Sequence, residues 1–269
     1  MKEKKVTIRN LELFYVDNEK EGLPILMIHG NSMNSKMFHQ QFKSPALSNY
    51  RLLALDFPGH GQSQRSSTPE NDYTVSSFIQ ILIEFIKTLG LHEVVLFGHS
   101  LGGHIAIHAL HQLTNVKGII VLGTPPLTIP PKLDAAFLPN PSLMLAFKPD
   151  LNSIEIHQLT HAFIPENHED FNLIETSITH CDPLVRPFIG KSINTKVNED
   201  EAEILRNAGF PVAAFHGEND SLVNVYYIKK LGLNLWQGKV QIIEKSGHSA
   251  FLENPKDFND SLKNFIRDL

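Results

Sequence analysis

Apolar residues in this chain gather into short unbroken runs, separated by longer stretches in which they recur every three or four positions. Ile25–His29, Val94–Phe97 and Gly118–Leu122 are such runs and read as buried strands, and Arg51–Leu55, Pro211–His216 and Val240–Ile243 read as further strands. Val6–Ile8 and Leu11–Val16 alternate instead, as in a hairpin at one sheet edge. Helical spacing marks Val75–Leu89, which stops at Gly90, the stretch after Ser100 (Ile105, Ala106, Ala109, Leu110), Val225–Leu231 and Pro255–Leu269. A short helix is expected over Met37–Phe42. Strands alternating with helices imply an α/β chain with a parallel, doubly wound sheet.

The rhythm breaks once. From Thr124 to Lys196 there are ten of the chain's sixteen prolines and no clear strand. A connection this long is usually functional. We therefore expect a mostly helical cap over 124–196, with Ser153–Phe163 and Glu169–Thr179 as helices, inserted into a core made of 1–123 and 197–269.

Composition narrows the function. The 269 residues are 42% hydrophobic and 20% charged, with a formal net charge of −5 and no basic run, which argues against nucleic acid. No apolar stretch approaches the ~20 residues of a membrane span, and the charged N-terminus has no apolar run after it, so neither a membrane partner nor a secretory signal is expected. Cys181 is the only cysteine, which excludes an internal disulfide and fits the cytoplasm. A monomer or weak homodimer is expected.

The chemistry starts at Gly98-His-Ser100-Leu-Gly102, a G-x-S-x-G between a strand and a helix. A sharp strand-to-helix turn lifts the serine hydroxyl out of the sheet, and the glycines let the backbones pass closely. Such a serine needs a histidine base oriented by a carboxylate, in chain order Ser, acid, His. Asp220 in Gly217-Glu-Asn-Asp220 and His248 after the last strand fill that order, with Glu218 as the rival acid. An ordinary turn aspartate and a loop histidine are the alternatives. Oxyanion donors are expected from the backbone N–H groups of Leu101 and Asn31; the Asn31 side chain would either add a donor or cap the following helix. His29 and the Asp56–Ser63 loop, with His60, read as scaffold. His104, His108 and His111 lie at helical spacing, as do His157 and His161, yet a serine hydrolase needs neither metal nor cofactor, and none is expected.

These motifs resemble the α/β-hydrolase superfamily through His29-Gly30-Asn31, Asp56-x-Pro58-Gly-His-Gly-x-Ser63, Gly98-His-Ser100-Leu-Gly102-Gly103, Gly217-x-x-Asp220 and Gly247-His248. The resemblance implies an eight-stranded, mostly parallel sheet with helices on both faces. At a finer level the chain is similar to the N-acyl-homoserine lactonases of this fold, through Met27-Ile-His-Gly-Asn-Ser32, Phe97-Gly-x-Ser-Leu-Gly-Gly-His104, Gly123-Thr-Pro-Pro126 and Asn234-Leu-Trp-x-Gly238. That similarity implies a small-molecule ester or lactone substrate. In that group the acid can be Glu; Asp220 stands there here. The cap has no tyrosine, so His157 or His161 would take the place of any phenol that holds substrate. Apolar cap residues Phe137, Met144, Leu145 and Phe147 would bury an acyl chain. Serine at the elbow argues against the carboxylate-nucleophile chemistry of haloalkane dehalogenases and epoxide hydrolases. Thioester, peptide and carbon–carbon bond hydrolysis remain open, as does a ligand receptor on the same scaffold.

Overall fold

The computed structural model describes residues 1–196 and 199–269. One eight-stranded sheet runs through it, built from β1 (Lys2–Ile8), β2 (Leu11–Asp17), β3 (Pro24–Ile28), β4 (Arg51–Leu55), β5 (Val94–His99), β6 (Val116–Leu122), β7 (Val212–Gly217) and β8 (Gln241–Ile243). The order is β1-β2-β4-β3-β5-β6-β7-β8. β1 and β2 pair antiparallel at one edge and β2 meets β4 antiparallel; β3 to β8 are parallel. The hairpin turns on Arg9 and Asn10, both at positive φ, the backbone of a tight two-residue turn that carries no glycine here.

Parallel register decides where chemistry can collect. Ile28 pairs with Gly98, Gly98 with Val121, Leu122 with Phe215, and Gly217 with Ile243, so the carboxyl ends of five strands share one rim. Beneath that rim Phe97, Phe258, Phe251 and Phe38 form an aromatic cluster whose neighbouring centroids lie 5.0 to 6.2 Å apart. The final helix, Pro255–Arg267, starts with Pro at its first position and Asn254 as cap, and buries Phe258, Leu262, Phe265 and Ile266. Among the described residues no helix is long and apolar enough to cross a membrane.

Between β6 and β7 lies the proline-rich segment. The helix Ser153–Phe163 begins where the sequence places it, because Asn152 and Glu155 close a reciprocal capping box. The next runs Phe171–His180. Two helices there are not apparent in the sequence: Val185–Lys196, masked by Pro187 and Gly190, and Glu201–Arg206, capped by Asp200. Pro187 is tolerated because it sits in the first turn, where no intrahelical bond needs its missing N–H. The expected boundary between 196 and 197 involves Val197, which lies outside the described residues. The stretch over Met37–Phe42 is a 3-10 turn, Ser35–Phe38, followed by one α-turn.

The helix after β5, Leu101–Ala109, crosses β3 at backbone distance. A Cβ on Gly102 would strike the carbonyl oxygens of Ile28 and His29, and one on Gly98 would come within 2.5 Å of Gly103 Cα. Gly102→Ala should therefore cost at least about 2 kcal/mol, since backbone rather than a movable side chain must yield. Urea unfolding measures this, and a midpoint equal to that of the parent would contradict the packing described.

Candidate active site

Ser100 sits at φ 52°, ψ −121°, outside the regions an L-residue prefers. Such a backbone costs about 1–3 kcal/mol and persists only where its surroundings impose it. Here the Ser100 N–H continues the sheet ladder to Leu122 O at 2.9 Å, and Thr124 Oγ1 donates to Ser100 O at 2.8 Å. Thr124 also explains Gly103, whose Cβ would collide with the threonine hydroxyl. Nothing in the residue pattern alone marks Thr124 for this.

His248 and Asp220 meet across 28 residues of sequence. His248 Nδ1 lies 2.9 Å from Asp220 Oδ2, while Asp220 Oδ1 accepts the N–H groups of Leu222 and Val223 at 2.8 and 3.1 Å. Burial alone would raise the Asp220 pKa; the adjacent imidazole and the backbone donors outweigh it and hold the value at about 2. Glu218, the rival acid, is exposed and accepts the Lys245 N–H. The other ring nitrogen of His248, Nε2, is buried without a hydrogen-bond partner. The ring is held on three further sides. Phe163 stacks on it at 5.7 Å, His99 Nε2 donates to its carbonyl at 3.0 Å, and Gly123 leaves space that a Cβ would take from its Cε1. Phe163, legible only as the end of a helix, is thus part of the site.

Asn31 and Leu101 both line the same cavity as Ser100 and His248. Among the described residues neither backbone N–H has an acceptor. The Asn31 side chain takes neither role weighed for it: its amide donates to Ala146 O at 2.7 Å, and Asn34 caps the 3-10 turn. Arg186 reinforces that tie. Its guanidinium donates to Lys148 O and Pro149 O at 2.8 and 2.6 Å and lies 3.5 Å from Ser32 Oγ.

The scaffold histidines are fully engaged or walled in. Phe57 N–H donates to His29 Nε2, so the His29 proton sits on Nδ1 and donates to Gly30 O at 2.8 Å. His60 Nδ1 lies 3.1 Å from Pro58 O. In the same loop the buried Asp56 carboxylate accepts the Ser35 and Gln62 N–H groups.

The cavity over the rim has a volume of about 1170 Å³, larger than most small-molecule sites. Phe137, Met144 and Phe147 line it, with Leu143 rather than Leu145 beside them. Met144 is 69% exposed and so stands at the mouth. His157 does not reach the cavity; it lies 3.6 Å from Glu175 and 3.7 Å from Glu166, against the ring of Phe171. His161 is exposed. The first histidine set instead meets carboxylates supplied by a distant element. His104 and His108 reach Glu201, and His108 and His111 reach Glu199. Among the described residues no group of three or more His, Cys, Asp or Glu is arranged to hold a metal ion.

A strained serine on a strand-to-helix elbow, with an Asp–His pair on the same rim of a parallel sheet, defines a class of fold. Residues 24–255 match the alpha/beta hydrolase fold, and the chain belongs to that family. It is a hydrolase of the esterase and lipase type. Over 265 residues it is 26% identical to the AB hydrolase superfamily protein YisY of Bacillus subtilis, covering 93% of this chain and 94% of YisY. The monoacylglycerol lipase abhd6-A of Xenopus laevis is 22% identical over 279 residues, covering 97% of this chain and 80% of that one. In three dimensions the chain resembles the N-acyl homoserine lactonase AidH. A mutant of AidH complexed with N-hexanoyl homoserine lactone superposes with a TM-score of 0.94 at 27% identity, covering 100% of this chain and 98% of that one.

Burial makes the rim sensitive to acid. It lowers the pKa of His29 to about 4 and that of His99 to about 3, and holds His60 well below the ordinary value. Unfolded, each returns to about 6.5. The unfolded chain thus binds more protons below that pH, so the stability is whole above about pH 6.5 and is lost as pH falls towards 4. Each histidine contributes up to about 1.4 kcal/mol per pH unit. Urea unfolding at pH 7, 6 and 5 should show this decline, and a flat profile would contradict it.

Proposed function

We propose that the chain is a serine hydrolase that cleaves lactones and carboxylic esters through an acyl-enzyme, with N-acyl homoserine lactones as its substrate class. One observation carries the reading: the buried, unpartnered Nε2 of His248, fixed from behind by Asp220, lines the same cavity as Ser100. The backbone likeness to AidH, solved with N-hexanoyl homoserine lactone, favours a lactone over other acyl compounds.

In this reading Ser100 Oγ attacks the carbonyl carbon while His248 Nε2 takes its proton. Asp220 keeps the imidazole in the tautomer that can accept and stabilises the imidazolium that forms. The N–H groups of Leu101 and Asn31 receive the charge that develops on the carbonyl oxygen. His248 then returns the proton to the departing oxygen, and water deacylates Ser100 by the same route in reverse. Residues 124–196 act as a cap. Phe137, Met144 and Phe147 bury the acyl chain at roughly 0.8 kcal/mol per methylene. His157, turned away from the cavity, takes no part in binding. The buried thiol of Cys181 fits a reducing compartment, and we place the enzyme in the cytoplasm, as a monomer or weak homodimer.

Ser100→Ala should abolish labelling by a fluorophosphonate probe and lower kcat/KM by at least about 10³-fold. Labelling that persists in the variant would place the nucleophile elsewhere. A panel of homoserine lactones of graded acyl length, set against linear esters of the same acids, tests the substrate class. Turnover of esters without any lactone would leave an esterase and remove the lactone reading, while a single slow covalent event would favour a receptor.

A further inference from the structure

Opening a lactone leaves a hydroxyl tethered to the acyl group it has just left. A tethered nucleophile acts at effective molarities of about 10⁵ M or more, so reclosure on the acyl-enzyme would outrun attack by water unless the hydroxyl is held aside. The cavity wall has a polar node one helical turn beyond the nucleophile. Ser100 caps the helix that carries His104 in its first turns, and both line the cavity.

His104 repeats the arrangement of His248. Its Nδ1 lies 2.8 and 2.9 Å from the two oxygens of Glu201, and its Nε2 has no partner among the described residues. Glu201 is fixed in turn: it is buried, its Oε2 accepts the Leu127 N–H at 2.8 Å, and its own N–H donates to Leu127 O at 2.9 Å. Burial would raise the Glu201 pKa, but His104 and then His108 outweigh it and hold the value at about 2. Burial opposes charge on His108, but Glu201 and Glu199 outweigh it and raise its pKa, with Nε2 3.0 Å from Glu201 Oε1 and Nδ1 3.2 Å from Glu199 Oε2. With its proton on Nδ1 towards Glu201, the His104 imidazole leaves Nε2 as the acceptor on the cavity side. Glu199, Lys191 and Asp134 are the other charged residues lining the cavity. A hydrocarbon chain alone would gain nothing from such a buried pair.

We propose that His104, oriented by Glu201, accepts a hydrogen bond from the hydroxyl released on ring opening and so keeps it from attacking the acyl-enzyme. This rests on the lactone reading above. As Ser100 Oγ bonds to the carbonyl carbon, the ring carbon–oxygen bond breaks. The serine proton passes through His248 Nε2 to the ring oxygen, and the new O–H turns to His104 Nε2. Water then attacks the acyl-enzyme, giving its proton to His248 and from there to Ser100 Oγ. The product is the ring-opened hydroxy acid.

The test compares N-hexanoyl homoserine lactone with the methyl ester of hexanoic acid, whose alcohol departs. His104→Leu and His104→Asn should each lower kcat on the lactone by tenfold or more and leave the methyl ester within about threefold. Hydroxylamine, which traps the acyl-enzyme, should restore lactone consumption in the variants and barely change it in the parent. Melting curves show which variants fold, and either one suffices. If neither folds, hydroxylamine acceleration of lactone consumption by the parent itself would overturn the proposal, and its absence would support it. Equal losses on both substrates, or none, would also overturn it. A parent that hydrolyses the ester and never the lactone would instead defeat the lactone reading.

Discussion

The backbone crossing at Gly102 is the constraint on which the site depends. The helix touches the end of β3 through carbonyl oxygens there, so the turn from β5 into that helix has no slack, and Ser100 is held at a φ it would not choose. The ladder bond to Leu122 and the Thr124 hydroxyl supply what offsets that strain. Because β3, β5 and β6 are hydrogen-bonded neighbours in one register, any shift of the elbow would have to break the sheet.

Around that fixed point the protein treats its histidines in two ways. His29, His60 and His99 are buried without a counter-charge, and burial keeps them neutral. His248 and His104 are each set against a carboxylate through Nδ1 with Nε2 left over. The first group builds shape. The second leaves a nitrogen without a partner among the described residues at the cavity wall, and the buried acids are both held at about pKa 2.

The parallel strands and their shared rim were legible because unbroken apolar runs end on Gly98 and Gly217 at the points where a close approach excludes a Cβ. The order of elements narrowed the acid to Asp220 or Glu218, and it is Asp220 that meets His248. Less was legible between β6 and β7. Pro187 and Gly190 disguise a helix, and contacts such as Phe163 on His248 or Glu201 on His104 join residues whose spacing carries no periodic trace. Polarity alone points to Leu145 as readily as to Phe137, Met144 and Phe147, and only the last three line the cavity. Polarity does not exclude His157 either, since what removes it from the cavity is the pair of glutamates beside it.

The bond from the Asn31 amide to Ala146 O, with Arg186 bridging Lys148, Pro149 and Ser32, has a consequence for how such a protein diverges. The roof over the chamber and the loop beneath it are riveted together by main-chain acceptors. Remodelling residues 141–149 to admit a different guest would therefore tug on the strand-end loop below. Changes of diet in this lineage would be expected to arrive coupled to changes in turnover, unless the rivets at Asn31 and Arg186 are kept.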